Sequence, residues 1–384
     1  MTEGKLSKAQ VLVIGASGFL GGRLAERLAL ECSARVRTLV RRVGVTRLAR
    51  LPIEVCVGDV LDRPTIASAA KGCSVIFNCA KGTGADAVRR RATEVEGVRN
   101  VIEAARSSGA RVVQVSSLAV YDIPGSGDVT ERTPPAPRGD SYSDAKLEGE
   151  RLGLELGAGL GVPVAVLQPT VVYGPEAGVH GTEILGDLRT SRVINVDGGA
   201  GICNAVYVDD VVTAMLLAAA SDRAPGQRFL VSGPEHPTWM DFFRAFEQML
   251  SLQRTVTMTE AEALVFWHQT RRRPSLLRTI REDRTLRARL VATREGGMIR
   301  WLMEHVYPAS LAPERWLEPS AASRQLNAEP PLKPLRPWVV RYRARKARVQ
   351  IHKARDILGY EPRFRMEDGM RLTESWARWA GLLG

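Results

Sequence analysis

The chain contains 384 residues, of which 45% are hydrophobic and 25% are charged. This composition is typical of globular proteins and excludes the disordered and fibrous classes. No uncharged apolar run approaches the roughly 18 residues that a membrane span needs, and Met1–Gln10 lacks the apolar stretch of a signal peptide. We therefore expect a cytoplasmic protein. The five cysteines are scattered, odd in number and without metal-ligand spacing, which predicts reduced core thiols and no metal site.

The net charge of +12 is concentrated in one segment. Residues 271–350 hold 19 Lys and Arg against 7 Asp and Glu, so the other residues carry 35 charges of each sign. A charge-balanced body with one basic segment limits any attraction to phosphates or anionic lipids to that segment.

The first 170 residues alternate β-branched apolar runs with helix-like stretches. Nearly continuous apolar runs are typical of strands that are covered on both faces, and alternation with helices predicts an α/β fold with a doubly wound, parallel Rossmann sheet. The predicted strands are Gln10–Gly15, Arg35–Arg41, Glu54–Gly58, Ser74–Cys79, Arg111–Ser116 and Val164–Gln168. The predicted helices are Gly22–Leu30, Thr65–Ala70, Ala87–Ser108 and Tyr142–Leu156.

Beyond Pro169 the alternation loosens, which predicts a smaller second lobe. It contains a predicted helix Asp209–Ala220, a strand Gln227–Ser232 and a helix from Trp239 to about Leu250. We expect a Rossmann domain over residues 1–170 and an interleaved substrate-binding lobe over residues 171–384, which includes a basic insertion at about 255–348.

Three glycines follow the first predicted strand, in the segment Gly15-Ala-Ser-Gly-Phe-Leu-Gly21. Such a turn lets backbone N–H groups and the positive end of the next helix approach a pyrophosphate. A tight turn without a ligand would give the same pattern, but its position at the first strand of an alternating fold favours a dinucleotide site. The expected contacts are Gly15, Ser17, Gly18, Phe19, Leu20 and Gly21.

The second predicted strand ends in Arg41 and Arg42, where a residue that binds the ribose of NAD would be acidic. Because a guanidinium can form paired bonds to the 2′-phosphate of NADP, the arginines favour NADP over NAD. Asp59 follows the third strand and is placed to accept from the adenine amino group. A solvated strand end and an ordinary loop aspartate would look the same.

Tyr142 and Lys146 lie four residues apart, on one face of a predicted helix. A cation near a phenol favours the phenolate, so the hydroxyl can exchange a proton with a substrate alcohol or carbonyl near neutral pH. Ser117, at the end of the fifth strand, could supply a second hydrogen bond to that oxygen. The pair alone is frequent by chance on surface helices, but it follows the glycine turn and Ser117 in the expected order.

Eight segments carry a resemblance to a known family. They are Gly15–Gly21, Gly58–Asp59, Asn78–Ala80, Val115–Tyr121, Tyr142 with Lys146, Pro169–Pro175, Val206–Asp210 and Lys353–Pro362. Together they resemble the extended short-chain dehydrogenase/reductases, which include nucleotide-sugar epimerases and dehydratases, 3β-hydroxysteroid dehydrogenases and dihydroflavonol reductases.

The resemblance implies that residues 1–170 bind NAD(P) and assigns roles to the three candidate catalytic residues. Tyr142 would be the general acid/base, Lys146 would bind the nicotinamide ribose and tune Tyr142, and Ser117 would orient the reacting oxygen. Further implied cofactor contacts are Val60, Cys79, Ala80, Pro169 and Val172.

Two departures from the family narrow the expected reaction, and a third has no assigned effect. Leu118 and Ala119 stand where dehydratases have Asp and Glu, which argues against dehydration. The stretch Gly201–Ala205 lacks the arginine that holds a substrate diphosphate in nucleotide-sugar enzymes, so an apolar substrate is expected. Gln168 stands where many relatives have arginine, and the sequence does not indicate the effect of this change.

The basic insertion leaves three readings open. Arginines interleave with apolar residues over Pro274–Leu290, and Trp301, Trp316 and Trp338 accompany further basic residues. Such a segment could rest on an anionic membrane and take up a lipid-like substrate. A substrate lid or a dimer-facing helix with solvated arginines fits as well. Nucleic acid is not expected as a partner because no recognition motif is present.

The sequence thus predicts an NADP-preferring oxidoreductase that transfers hydride to or from a secondary alcohol or ketone of an apolar small molecule, such as a steroid- or polyketide-like substrate. The alternatives are an epimerase that uses tightly held NAD for transient oxidation and a non-catalytic cofactor-binding sensor. Arg41 counts against the first, and the presence of Ser117, Tyr142 and Lys146 counts against the second. The family also implies a homodimer through Ala87–Ser108 and Tyr142–Leu156.

Overall fold

Parallel strands form the centre of the protein, whose computed structural model describes residues 5–42, 48–82, 86–270 and 329–383. The strands of this part of the chain are β1 (Gln10–Ile14), β2 (Arg35–Val40), β3 (Glu54–Val57), β4 (Val75–Asn78), β5 (Arg111–Val115), β6 (Asp128–Val129), β7 (Val164–Pro169), β8 (Val171–Tyr173), β9 (Arg192–Val196), β10 (Ala205–Tyr207), β11 (Arg228–Val231), β12 (Thr255–Met258), β13 (Leu332–Lys333) and β14 (Arg348–Val349).

In the first half of the chain, helices alternate with these strands. The helices of the described residues are α1 (Phe19–Leu30), α2 (Arg63–Ala70), α3 (Ala87–Ser108), α4 (Ser143–Leu160), α5 (Glu183–Thr190), α6 (Val208–Ala220), α7 (Trp239–Leu250), α8 (Glu260–Thr270), α9 (Pro337–Ala344), α10 (His352–Leu358) and α11 (Met366–Trp379). Among the described residues, no helix combines the length and the apolar character that crossing a bilayer requires.

The main sheet has seven strands in the order β3, β2, β1, β4, β5, β7, β11, and all neighbours in it run parallel. Alternate residues of β1 point to opposite faces. Val11 and Val13 belong to the core beneath α1 and α6, whereas Leu12 and Ile14 belong to the core beneath α2 and α3. Helices therefore cover both faces of the sheet, which confirms the predicted doubly wound Rossmann fold.

The direction of the strand order changes at β1. The chain runs outward from β1 through β2 to β3, then crosses to β4 on the other side of β1. In such sheets ligands bind in the crevice at the carboxyl ends of the strands, at this point of reversal. The segments that follow β1, β4 and β5 carry the predicted glycine turn, Cys79 with Ala80, and Ser117.

In the part of the chain that the structure describes, three small parallel sheets lie outside the main sheet. The strand β11, from the second half of the chain, forms one edge of the main sheet. β8 pairs with β10, β9 pairs with β12 and β13, and β6 pairs with β14. An aromatic core, with Trp239, Phe242 and Phe246 of α7 and Tyr173 of β8, also contains residues of β9 and β10. The division into domains at residue 170 stays a prediction.

The basic insertion is described at its two ends. Its first part forms β12 and α8, and its last part forms β13, α9 and β14. Trp338 is 53% exposed. The predicted amphipathic segment Pro274–Leu290, Trp301 and Trp316 lie outside the described residues.

Candidate active site

In the glycine turn after β1, neighbouring backbone segments lie so close together that Gly15 and Gly21 leave no room for a side chain. Gly15 has a φ of +83°, and a Cβ there would lie 2.8 Å from the carbonyl oxygen of Cys79. A Cβ on Gly21 would lie 2.5 Å from the carbonyl oxygen of Gly15. The helix α1 begins immediately after Gly18, and no side chain caps its N-terminus. Such an uncapped first turn suits the pyrophosphate of a dinucleotide, because its N–H groups lack intrahelical acceptors.

The other residues of the turn lie beside these glycines. Ser17 and Gly18 are exposed, whereas Phe19 and Leu20 are half-buried in the first turn of α1. The geometry therefore fits the predicted dinucleotide site. The individual cofactor contacts stay predictions.

The residues that are predicted to bind the adenosine end of the cofactor lie at the ends of β2 and β3. Arg41 and Arg42 are exposed and directly follow β2. The carboxylate of Asp59 is half-buried and already has two donors. It accepts from the backbone N–H of Leu61 at 3.1 Å and from Nη2 of Arg89 at 2.6 Å. The neighbouring Val60 is buried in the core.

Two segments flank the crevice on its other side. Cys79 and Ala80 follow β4, and the backbone N–H of Ala80 donates to Oδ1 of Asn78 at 3.2 Å. Burial raises the pKa of the Cys79 thiol to about 12, so this sulfur is a neutral lining group near pH 7. Pro169 is buried at the end of β7, and Val172 is half-buried in β8.

Tyr142 occupies the N-cap position of α4, one residue before the helix begins. Asp140 fixes this end, because its Oδ1 accepts from the backbone N–H groups of Tyr142 and Ser143 at 3.2 and 2.9 Å. The carbonyl oxygen of Tyr142 accepts from the backbone N–H of Lys146 at 3.0 Å, so the two residues are one helical turn apart. The predicted spacing of phenol and ammonium is therefore present.

Lys146 connects α4 to the end of β5. Its Nζ donates to the carbonyl oxygen of Val115 at 3.0 Å, two residues before Ser117. Ser117 is half-buried, and its Oγ accepts from the backbone N–H of Ala119 at 3.2 Å. The structure thus brings Lys146 to the strand end that carries Ser117.

Two charged residues of this region were not predicted. Glu94 of α3 forms an ion pair with Lys146, with 2.9 Å between Oε2 and Nζ. The Nζ of Lys81 lies 5.2 Å from the centre of the Tyr142 ring. Glu94 lies on the same helix face as the buried Val98 and Val101. A carboxylate on this otherwise apolar face is the feature of the sequence from which a buried partner of Lys146 could have been predicted.

A further cation lies near the stretch Gly201–Ala205, which itself contains no arginine. The backbone of Arg343 packs against Gly201, and its guanidinium lies over the rings of Trp239 and Phe243, at 5.3 and 4.7 Å from their centres. Burial lowers the pKa of Arg343 to about 10. The missing arginine in 201–205 therefore does not leave this region without positive charge.

Gln168 has a structural partner set that the sequence did not indicate. Its Oε1 accepts from the hydroxyl of Tyr121 at 2.7 Å, and its Nε2 donates to both carboxylate oxygens of Glu150 at 3.0 and 2.9 Å. Arg228 completes the network with an ion pair to Glu150 at 3.1 Å. The side chain of Gln168 thus joins β7 to α4 behind the candidate site.

Comparison with known proteins agrees with this geometry. The sequence profile of the NAD dependent epimerase/dehydratase family matches residues 11–232, more than half of the chain. A 4-hydroxy-2-methyl-3-oxo-4-farnesyl-3,4-dihydroquinoline-1-oxide ketoreductase of Stigmatella aurantiaca is 31% identical over 233 residues, which are 58% of this chain and 68% of the relative. A 3-beta-hydroxysteroid dehydrogenase of Mycolicibacterium neoaurum is 26% identical over 254 residues, which are 61% of this chain and 68% of the relative.

Among solved structures, an epimerase of Methanothermobacter thermautotrophicus is similar with a TM-score of 0.71. The match covers 99% of this chain and 96% of that chain, at 16% identity, and so supports the fold alone. The matched family and relatives confirm the prediction of an enzyme of the NAD(P)-dependent dehydrogenase/reductase class. The chain belongs to the NAD dependent epimerase/dehydratase family.

Proposed function

We propose that this protein is an oxidoreductase that transfers hydride between NADP(H) and a secondary alcohol or ketone of an apolar small molecule. The observation that carries this proposal is the arrangement of Tyr142, Lys146 and Ser117. Lys146 is one turn from Tyr142 and is bonded to the strand end that carries Ser117. That strand end faces the crevice beside the glycine turn after β1, where the family binds its cofactor.

In this proposal the bound nicotinamide supplies or accepts the hydride. The hydroxyl of Tyr142 gives a proton to the carbonyl oxygen during reduction, or takes one from the alcohol during oxidation. The ammonium of Lys146 favours the ionised phenol and holds the cofactor ribose. Ser117 donates a hydrogen bond to the reacting oxygen and fixes its position.

The names of the relatives support an apolar substrate, whereas the aromatic core beside β8 and β10 does not, because its Tyr173, Trp239 and Phe242 side chains are at most 3% exposed and contact the protein itself. The names of two relatives indicate a farnesylated quinoline oxide and a 3β-hydroxysteroid as their substrates. Arg343 beside this core would suit a polar or anionic group at one end of such a molecule.

The test is turnover by the full chain with NADPH and three ketone classes: a 3-ketosteroid, a 2-alkyl-3-keto ester and a prenylated aromatic ketone. We expect stoichiometric loss of NADPH with at least one class. Tyr142→Phe should lower kcat by about 10²-fold or more while NADPH affinity stays within about twofold, because the hydroxyl acts in proton transfer. Equal activity of the wild type and Tyr142→Phe would overturn the proposal.

The epimerase and sensor alternatives have their own outcomes in the same assay. A UDP-hexose that is converted to its epimer without net change in cofactor would favour the epimerase. Cofactor binding without turnover on any substrate, together with no effect of Tyr142→Phe, would favour the sensor.

We propose a preference for NADP on the basis of Arg41 and Arg42, which follow β2 at the crevice. Parallel calorimetric titration with NADPH and NADH tests it. We expect at least about tenfold tighter binding of NADPH, lost in Arg41→Ala, because a charge-assisted bond contributes about 1.5–3 kcal/mol. Arg35→Ala is the matched control, since Arg35 is exposed at the opposite end of the same strand. Equal affinities in the wild type would remove the argument for NADP.

We also propose a homodimer through α3 and α4, with a cofactor domain and substrate lobe divided near residue 170. The two helices lie side by side, and Arg91 of α3 pairs with Glu148 of α4 on their exposed side. Light scattering after size-exclusion chromatography tests the dimer.

Peripheral membrane contact through the basic insertion is tested by flotation with anionic and neutral vesicles. Binding to the anionic vesicles alone would support this contact.

A further inference from the structure

Glu94 and Lys146 form an ion pair inside the protein. Their side chains are 5% and 6% exposed, and 2.9 Å separates Oε2 from Nζ. Among the ion pairs of the described residues, only this one has both side chains less than a tenth exposed. Burying an ammonium and a carboxylate is costly, and the cost is offset only if both are paired and hydrogen-bonded.

Both groups have a second partner on the cofactor crevice. The Nζ of Lys146 donates to the carbonyl oxygen of Val115, at the end of β5, at 3.0 Å. The Oε1 of Glu94 accepts from the backbone N–H of Gly82, in the segment after β4, at 3.3 Å. An ammonium has three N–H donors, so these contacts use two of them and leave one for the site.

The backbone is built to bring the two helices together at this point. A Cβ on Gly149 of α4 would lie 2.1 Å from the carbonyl oxygen of Glu94, so any side chain there would push the helices apart. Gly149 is three residues beyond Lys146 and therefore lies on the same face of α4. The close approach lets the Glu94 carboxylate reach the lysine directly.

The charges around Lys146 act in opposite directions. Burial alone lowers the pKa of Lys146, but Glu94, followed by Tyr142, outweighs burial and raises it. The other titratable group that faces the ammonium is the Cys79 thiol after β4. Lys81 faces Tyr142 from the same segment. Glu94 is thus the main counter-charge of the lysine.

We propose that Glu94 is a positioning residue for the reaction, which holds Lys146 charged and directs its remaining N–H donor toward the cofactor ribose and Tyr142. The inference rests on the proposed role of Lys146. Without Glu94, the buried lysine would lose its proton as pH rises through the neutral and mildly alkaline range, and cofactor affinity would fall with it.

The experiment is calorimetric titration of the full chain with NADPH from about pH 7 to about pH 9.5. For the wild type we expect nearly constant affinity. For Glu94→Gln we expect affinity within about threefold of the wild type near pH 7 and at least tenfold weaker at the alkaline end. Glu94→Asp keeps the negative charge and should restore most of the affinity. Glu96→Gln, an exposed position on the same helix, should match the wild type throughout.

The outcomes separate this inference from the proposed function. Lys146→Met should bind NADPH weakly at every pH, and unchanged affinity would overturn the role of the lysine itself. If Lys146→Met binds weakly but Glu94→Gln keeps the wild-type pH profile, Glu94 does not position the lysine. A pH-independent loss in Glu94→Gln that Glu94→Asp does not restore would also overturn the inference. If Glu94→Gln fails to fold, Glu94→Asp is the variant that decides. Wild-type affinity for NADPH in Glu94→Asp, which is lost when Lys146→Met is added, supports the inference. Weak binding at every pH in Glu94→Asp overturns the inference.

Discussion

A methyl group on residue 21 would lie 2.5 Å from the carbonyl oxygen of Gly15, so the helix that follows the first strand can pack at its observed distance only with glycine at this position. The contact is with backbone, which cannot move away as a flexible side chain can. We expect Gly21→Ala to displace the first turn of α1 from the proposed pyrophosphate site. Its affinity for NADPH should fall at least about tenfold, which corresponds to about 1.4 kcal/mol. Calorimetric titration measures this loss.

Gly186→Ala is the matched control for this substitution. Gly186 is exposed within α5, and a Cβ there would meet nothing within 4 Å. Because alanine has the higher helix propensity, this variant should gain about 0.5–1 kcal/mol of stability and keep its cofactor affinity. Unchanged NADPH binding in Gly21→Ala would show that the turn does not hold the cofactor.

Asp59 offers a second test of the cofactor site. Its carboxylate accepts from Leu61 and Arg89, and we propose that it also accepts from the adenine amino group. Asp59→Ala should weaken NADPH binding at least about tenfold, since a hydrogen bond to a charged group contributes about 1.5–3 kcal/mol. Stability should change little, because the ion pair with Arg89 is partly exposed. Glu54→Ala, at the start of β3, the strand that precedes Asp59, should bind NADPH like the wild type.

Local chemistry explains why most elements of the main sheet could be predicted from the sequence. The predicted helix Ala87–Ser108 is confirmed at both ends, because the side chain of Asp86 accepts from the N–H groups of the first turn and Gly109 closes the helix with a φ of 71°. The helix α4 is longer than predicted and ends at Leu160 instead of Leu156. The helix continues through Gly153 and Gly157, where the absence of a side chain allows close packing on Gln114 and Val164.

The start of α1 and the small sheets show where local patterns fail. The helix begins at Phe19 and not at Gly22, because the turn after β1 is completed by Gly18. The strands β8, β10 and β13 have three residues or fewer, and their pairings join distant parts of the chain. Such short segments carry no periodicity of their own.

The candidate site was predictable where residues are close in sequence. Tyr142 and Lys146 share one helical turn, so their relation follows from spacing. Glu94 belongs to a different helix, and only the packing of α3 on α4 brings it to Lys146. A single sequence cannot identify the partner of a buried charge when that partner is long-range.

The buried network of Glu150 predicts a large effect on stability. Glu150 is fully buried and accepts from Gln168 and Arg228. Glu150→Ala removes the acceptor of a partly buried guanidinium, so we expect a loss of about 3–5 kcal/mol in the free energy of unfolding. Urea denaturation measures it.

Two further variants distinguish the loss of the Glu150–Arg228 ion pair from the effect of the cavity that alanine leaves. Glu148→Ala removes an exposed carboxylate two residues earlier on α4, and its effect should stay below about 1 kcal/mol. The double variant Glu150→Leu with Arg228→Met should recover much of the loss, since an apolar pair leaves no unpartnered charge. Equal losses in Glu148→Ala and Glu150→Ala would contradict the assignment of Glu150 to a structural network.

The lowered pKa of His180 leads to a prediction of how the free energy of unfolding depends on pH. It is half-buried in the turn Gly178–Thr182 between β8 and α5. Burial, together with the positive charge of Arg343, lowers the pKa of its imidazole from 6.5 to about 4. Burial and Arg348 also lower the pKa of His236, so both histidines act in the same direction.

Between about pH 6.5 and pH 4 the unfolded chain binds a proton at residue 180 that the folded chain does not, so acidification favours unfolding. The contribution of His180 is fully present above about pH 6.5, and up to about 3 kcal/mol is lost near pH 4. His180→Gln removes the titrating group, so its free energy of unfolding should fall less steeply over this range. Urea denaturation at several pH values measures the slope. His268→Gln replaces an exposed histidine and should keep the wild-type slope. Identical slopes for His180→Gln and the wild type would mean that His180 takes up a proton as readily when folded as when unfolded.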